Sequence, residues 1–169
     1  MVNSRLPFSL KGFTLVELLV VIFIIALLSV LTIANYREGQ KRYAVDSAVQ
    51  RMAADLRRAQ NLALAPMDLG AAPSPRGYGI NTNSSNSYLF FHHDSGSRRY
   101  SGGASTILDS IFLPAGVTIS PVNSDVYFIP PDPTTFLNGA SSGSLVFTLT
   151  NGSYSRQIIV EAGGKIDIQ

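Results

Sequence analysis

The chain has 169 residues, enough for one modest domain and one further segment, and 46% of them are hydrophobic. It contains no cysteine, which excludes disulfides, thiolate metal sites and thiol catalysis. The formal charge of +2 is not a distributed basic field. Arg5 and Lys11 precede every acidic residue, and the other eleven basic side chains are matched by eleven acidic ones. A function driven by net positive charge, on nucleic acid or on a membrane surface, is weakened accordingly.

The hydrophobic excess is concentrated at one end. From Phe13 to Ile33 the only polar residues are Thr14, Glu17, Ser29 and Thr32, and neither Pro nor Gly interrupts. As a helix this stretch is roughly 32 Å long, the thickness of a bilayer core, so 13–33 is expected to be the transmembrane half of an N-terminal helix. Arg5 and Lys11 flank it on one side only, which predicts a cytoplasmic N-terminus. A secretory signal places its apolar stretch before the cleavage site, whereas here Lys11-Gly12 comes first and the apolar run follows. Glu17 is the costly residue. A carboxylate at mid-bilayer costs about 2.5–3.5 kcal/mol, although a depth of about 6 Å lowers that figure.

The segment Lys11-Gly12-Phe13-Thr14-Leu15-Val16-Glu17-Leu18-Leu19-Val20 resembles the class III signal of type IV pilins and type II secretion pseudopilins. The resemblance implies that residues 1–12 are a leader, that a membrane aspartic peptidase (prepilin peptidase) cuts between Gly12 and Phe13, and that Phe13 is then N-methylated. It implies further that the mature chain is a single-pass protein of the bacterial inner membrane with its C-terminal domain outside the cytoplasm. There it would join other pilins in a filament through an inner-membrane assembly platform. Gly12 suits cleavage because it offers an extended backbone without a side chain. Glu17 has two readings. It is a carboxylate snorkelling near the interface, or it pairs with the new Phe13 amine of a neighbouring subunit and sets the axial register of assembly.

Beyond the apolar run Val45, Val49, Met52, Leu56, Ala59 and Ala63 recur at spacings of four and three, one stripe of an amphipathic helix. Residues 34–65 are therefore expected to form the soluble half of the same helix, running from Phe13 to Leu64 and ended by Pro66. Val45, Val49, Met52 and Leu56 should pack on the following domain. Asp46, Arg51, Asp55, Arg57 and Arg58 fall on wetter faces, where Arg51 and Asp55 are four-residue neighbours. Gly39 is the weak point of the run, costing about 1 kcal/mol relative to Ala. Many pilins carry a Pro where this chain has Ala34, so no kink is expected there. The apolar half is hydrophobic all round and is free to pack on other copies.

Residues 66–76, with Pro66, Pro73 and Pro75, read as a loop. The rest of 66–169 reads as short antiparallel strands between turn signals. Tyr78–Ile80 and Ser87–Phe91 flank a polar turn at Asn81–Asn86. Thr106–Leu113 and Val117–Ile119 flank Pro114-Ala115-Gly116, and Val126–Ile129 stops at Pro130-Pro131. Ser144–Thr150, Gln157–Val160 and Lys165–Ile168 follow as a meander around Asn151-Gly152 and Gly163-Gly164. The fold class is α+β. Arg76-Gly77-Tyr78-Gly79, Leu113-Pro114-Ala115-Gly116-Val117 and Ile158-Ile159-Val160 with Gly164-Lys165-Ile166 resemble the GspH/FimT group of minor pseudopilins and minor pilins. That resemblance implies two small sheets packed on the soluble half of the helix.

No catalytic constellation is visible, and no cofactor or metal is expected. His92-His93-Asp94 is the one histidine cluster, and adjacent residues on a strand point to opposite faces. Asp125 and Asp132 lack calcium-loop spacing. There is no nucleophile elbow and no phosphate-cradling loop. The resemblance points to a structural filament subunit, whether of a secretion pseudopilus or a pilus. Two other readings stay open. Some minor pilins of this group bind DNA through basic residues near the C-terminus, where this chain has Lys165 opposed by Asp167, with Arg98-Arg99 as a solvated turn. Phosphate-driven binding needs more clustered charge, so nucleic acid is not an expected partner. The third reading is an anchored binding protein that never polymerises.

Overall fold

The computed structural model describes residues 12–64, 77–93, 96–129 and 134–169, with the side chains of 31–35 outside the description. The leader up to Lys11, the loop 66–76, Asp94, Pro130-Pro131, Asp132 and the Ala34 side chain thus lie outside the described residues. One long helix, α1 (Leu15–Leu64), precedes nine strands: β1 (Gly77–Ser84), β2 (Ser87–His93), β3 (Ser105–Phe112), β4 (Thr118–Ser120), β5 (Asp125–Ile129), β6 (Thr134–Leu137), β7 (Ser144–Asn151), β8 (Tyr154–Glu161) and β9 (Ile166–Ile168). The chain separates into two compact units, Met1–Gly39 and Gln40–Gln169, and α1 belongs to both.

The fold is α+β, with two antiparallel sheets. The first has strand order β3-β2-β1-β5-β6 and the second β4-β7-β8-β9, the last three strands being the expected meander. One core joins both sheets to the helix. Val45, Val49, Met52, Leu56, Ala59 and Ala63 are all buried. They pack with Tyr78, Ile80, Tyr88, Phe90 and Phe128 of the first sheet and with Phe147, Leu149, Ile158 and Val160 of the second.

The acidic residues assigned to wetter faces of the helix have a different role. Asp55 does not pair with Arg51; its Oδ2 accepts the Tyr88 hydroxyl proton at 2.7 Å. Burial, and then this carboxylate, push the Tyr88 phenol above its ordinary range. Asp46 Oδ1 accepts from the Tyr154 hydroxyl at 3.2 Å and from Arg156 Nη1 at 3.3 Å. Gln60 Nε2 donates to the Gly164 carbonyl at 3.2 Å. The helix is thus tied to β2 by one carboxylate and to the β8–β9 hairpin by another and an amide.

Three differences from the sequence reading matter most. The polar run Asn81–Asn86 is mostly strand: β1 continues to Ser84, pairing Asn81 with both Leu89 and Asp125, and only Ser85-Asn86 turns. Asn81 and Thr82 are buried and bonded, Thr82 Oγ1 donating to the Pro121 carbonyl at 2.8 Å, so their polarity is absorbed inside the sheet. The second difference is β6, which pairs with β5 and was not anticipated. The turn after it is marked by Asn138-Gly139, both with positive φ (51° and 84°). The third is the earlier start of β8, at Tyr154.

Two motifs have clear local causes. In Pro114-Ala115-Gly116-Val117 the Val117 N–H donates to the Pro114 carbonyl at 3.0 Å and Gly116 has φ 82°, a type II arrangement that favours Gly at that position. In Arg76-Gly77-Tyr78-Gly79 a Cβ on Gly79 would stand 2.5 Å from the Val126 carbonyl oxygen and 3.0 Å from the Phe91 ring. Gly77 is similarly hemmed in by β5, so the two glycines admit β5 and its aromatic rings close to β1.

The outer face of the first sheet carries a small aromatic cluster of Phe91, Tyr127 and Phe136, on which Tyr100 packs. The segment bearing Tyr100 is held there by two ionisable side chains. His93 places its ring nitrogens 2.9 Å from the Ala104 carbonyl oxygen and 2.6 Å from that of Arg99. Asp125, whose side chain is 2% exposed, accepts the Tyr100 N–H at 3.3 Å and pairs with Arg99 Nε at 3.5 Å. Its Oδ1 has no hydrogen-bond partner among the described residues. Desolvation pushes the Asp125 carboxyl up, and the Tyr100 and Arg99 contacts only partly offset this.

Two outcomes are expected. Leu56→Ala, at a fully buried position, should cost about 2–5 kcal/mol in denaturant unfolding; a near-unchanged midpoint would contradict the packing face. For Asp125 the folded-state pKa lies above the unfolded one. Its contribution to stability is therefore complete below the ordinary aspartate range and is lost as pH rises through the raised value. Asp125→Asn should raise the midpoint relative to the parent at pH 7, with the difference shrinking towards pH 4. A lower midpoint at pH 7 would mean that the Arg99 contact outweighs burial.

Candidate assembly and processing site

The candidate site is the start of α1. Thr14 caps the helix: its Oγ1 accepts the Glu17 N–H at 3.2 Å, and its carbonyl accepts the Leu18 N–H, also at 3.2 Å. The helix consequently begins at Leu15 rather than Phe13, and Gly12 and Phe13 precede it in non-helical backbone. Both are exposed, Phe13 at 79%. The Gly12-Phe13 bond is therefore accessible without unwinding of α1. The cap was legible in the sequence, because Thr14-Leu15-Val16-Glu17 is the Thr-x-x-Glu pattern of a capping box.

Glu17 stands in the third position of the helix and is exposed. Its position in the first turn is favourable for a negative charge, since the unpaired N–H groups there carry partial positive charge. Its carboxylate makes no hydrogen bond or ion pair among the described residues. Around and beyond it Leu15, Val16 and every side chain up to Val30 are exposed, Val16 at 69% and Val30 at 70%. Ser29, the polar residue inside that run, donates its hydroxyl to the Ile25 carbonyl at 2.7 Å and so needs no external partner. Among the described residues no helix is long and apolar enough to cross a membrane. The stretch 13–33 runs past Val30 into residues whose side chains are outside the description.

The other candidates occupy different positions. Val45, Val49, Met52 and Leu56 lie in the core of Gln40–Gln169. His92 and His93 leave β2 on opposite sides. The His92 ring lies 6.1 Å from that of Tyr78, and the His93 ring is edge-on to Phe91 and Tyr127. Arg98-Arg99 is an exposed bend, as expected, but both side chains are engaged: Arg98 lies over the Phe136 ring at 4.8 Å and Arg99 pairs with Asp125. Lys165 sits between Asp167 and Glu161, and the hydrogen bond to Asp167 raises its ammonium above the ordinary value.

Residues 10–33 match the family model described as the prokaryotic N-terminal methylation motif, which is typical of type IV pilins and pseudopilins. No curated protein and no solved structure gives a match.

Proposed function

We propose that this chain is a minor pilin or pseudopilin of the GspH/FimT kind, a structural subunit that prepilin peptidase processes after Gly12. It is then anchored in the inner membrane by residues 13–33 and built into a filament through α1. The observation that carries this reading is the methylation motif at residues 10–33, set on a helix start whose Gly12-Phe13 bond is exposed and whose Glu17 carboxylate is unengaged. No catalytic role is part of the reading, because the motif belongs to structural subunits. DNA capture is less well supported, since Lys165 faces two carboxylates and Arg99 a third.

The mature chain should begin at N-methylated Phe13, which intact mass of the membrane-extracted protein reads directly. A chain still beginning at Met1 would remove the proposal. Among variants, Glu17→Gln keeps the capping-box pattern but removes the charge, and Glu17→Leu removes both. If Glu17 pairs with the Phe13 amine of a neighbour, each variant should be cleaved normally yet fail to enter filaments, because a buried amine left alone costs about 3–5 kcal/mol. Normal incorporation of Glu17→Leu would mean that the charge does not register the subunit, whereas absence of the parent protein itself from filaments would favour an anchored protein that does not polymerise.

The purified protein should bind duplex DNA no more tightly than the non-specific range, roughly 10⁻⁴–10⁻⁶ M at physiological salt. A salt-sensitive complex tighter than that range and weakened by Lys165→Ala or Arg98→Ala would promote the DNA-binding reading.

A further inference from the structure

The two sheets have four edges among the described residues, and three are short: β4 and β9 have three residues each and β6 has four. The fourth edge is β3, eight residues long, hydrogen-bonded to β2 on one side and to nothing on the other among the described residues. In an antiparallel edge strand alternate residues turn their N–H and C=O groups outward, where they can take another extended backbone. Natural edges are commonly blocked by lysine, proline, short length or a bulge. Thr106–Ser110 is exposed throughout, has neither lysine nor proline, and carries Asp109 as its only charge. Its one irregularity is at Leu108, where Phe90 pairs with Asp109 and Phe91 with Ile107, so the regular ladder next to the α1 side runs from Asp109 to Phe112. Ile107, Leu108 and Phe112 are exposed on it, Phe112 at 71%.

Beside this edge a cavity of ≈ 180 Å³ lies between α1 and the end of β3, lined on the strand side by Ile111, Phe112 and Pro114 and on the helix side by Ala48 and Arg51. Its volume suits one apolar side chain. Arg51 is exposed and has no carboxylate within ion-pair distance among the described residues, because Asp55, its neighbour one turn on, accepts the Tyr88 hydroxyl instead. Edge, cavity and unpaired guanidinium are contiguous.

We propose that the free edge of β3 docks an extended segment of a partner polypeptide, which adds as a sixth strand to the first sheet and sets a carboxylate on Arg51. Main-chain pairing supplies the affinity, while the cavity and Arg51 supply the selection for an apolar residue near an acidic one. A second copy of this chain is a poorer occupant. Antiparallel β3–β3 pairing in the register that opposes the two Asp109 residues sets their carboxylates side by side, and Asp109 is the one acid that β3 carries.

The test uses the full chain, processed and held in detergent micelles. The probes are fluorescent eight-residue peptides of alternating valine and threonine, with a single glutamate moved from position to position. Binding is read by anisotropy. At least one glutamate position should bind at micromolar concentration. N-methylation of alternate peptide amides should weaken that complex more than tenfold, and so should Arg51→Glu in the protein. The corresponding lysine peptide should recover binding to the Arg51→Glu protein. Because Arg51 is exposed and unpaired, that variant should unfold at the parent midpoint. Absence of binding up to about 1 mM overturns the proposal, as does binding indifferent to N-methylation or to Arg51→Glu. Concentration-dependent disulfide dimers of a Ser110→Cys variant without peptide would also overturn it, by assigning the edge to a second copy.

Discussion

The stripe from Val45 to Ala63 is the constraint on which the globular unit depends. Neither sheet closes a core alone. The first presents Tyr78, Tyr88, Phe90 and Phe128, the second Phe147, Leu149, Ile158 and Val160, and the side chains that both rows bury against lie on one helix. The composition of the stripe fits that task. Ala48, Ala53, Ala59 and Ala63 let the backbone approach the sheets closely, while Val45, Val49, Met52 and Leu56 fill the volume between them. A cysteine-free domain of this size has no crosslink to substitute for lost packing, so the helix is a structural member of the domain and not merely a tether.

Apolar burial is not directional, and the polar contacts along α1 fix the register that burial leaves loose. Asp46 and Asp55 stand nine residues apart on the helix and reach different sheets, one to Tyr154 and Arg156 and the other to Tyr88. Sliding the helix by one turn would break both contacts and leave the Tyr88 hydroxyl in a buried setting without its acceptor. The bond from Gln60 to Gly164 adds a third fixed point near the end of α1.

Much of this was legible in the sequence because periodicity reports burial directly. The stripe, the alternation in Ser144–Thr150 and the proline and glycine turns each carry a local physical signature, and the α+β class follows from them. What was hidden involves polar groups whose partners are distant in sequence. Asn81 and Thr82 look like turn residues until Ser124 and Pro121 are brought beside them, and Asp55 looks solvated until Tyr88 arrives. Arg98-Arg99 has the composition of a solvated turn, but it borders an aromatic cluster assembled from β2, β5 and β6. At the candidate site the motif was fully readable and its cap was overlooked, although Thr14 and Glu17 stand at the required spacing.

The cap bears on what Glu17 is for. A first-turn glutamate after Thr14 has an ordinary reason to exist: it favours the helix start electrostatically and matches the capping-box pattern. The Thr14 hydroxyl, however, already takes the Glu17 N–H, and the carboxylate itself is unengaged among the described residues. A helix start in water could leave that charge to solvent. On the proposed reading the neighbours Leu15, Val16, Leu18 and Leu19, exposed at 80%, 69%, 58% and 56%, are covered by lipid or by other subunits instead. The same apolar surroundings that make the charge expensive make an ammonium beside it valuable, and cleavage after Gly12 would create one at Phe13. In this reading the cap holds the first turn in place while the carboxylate remains available to a neighbour.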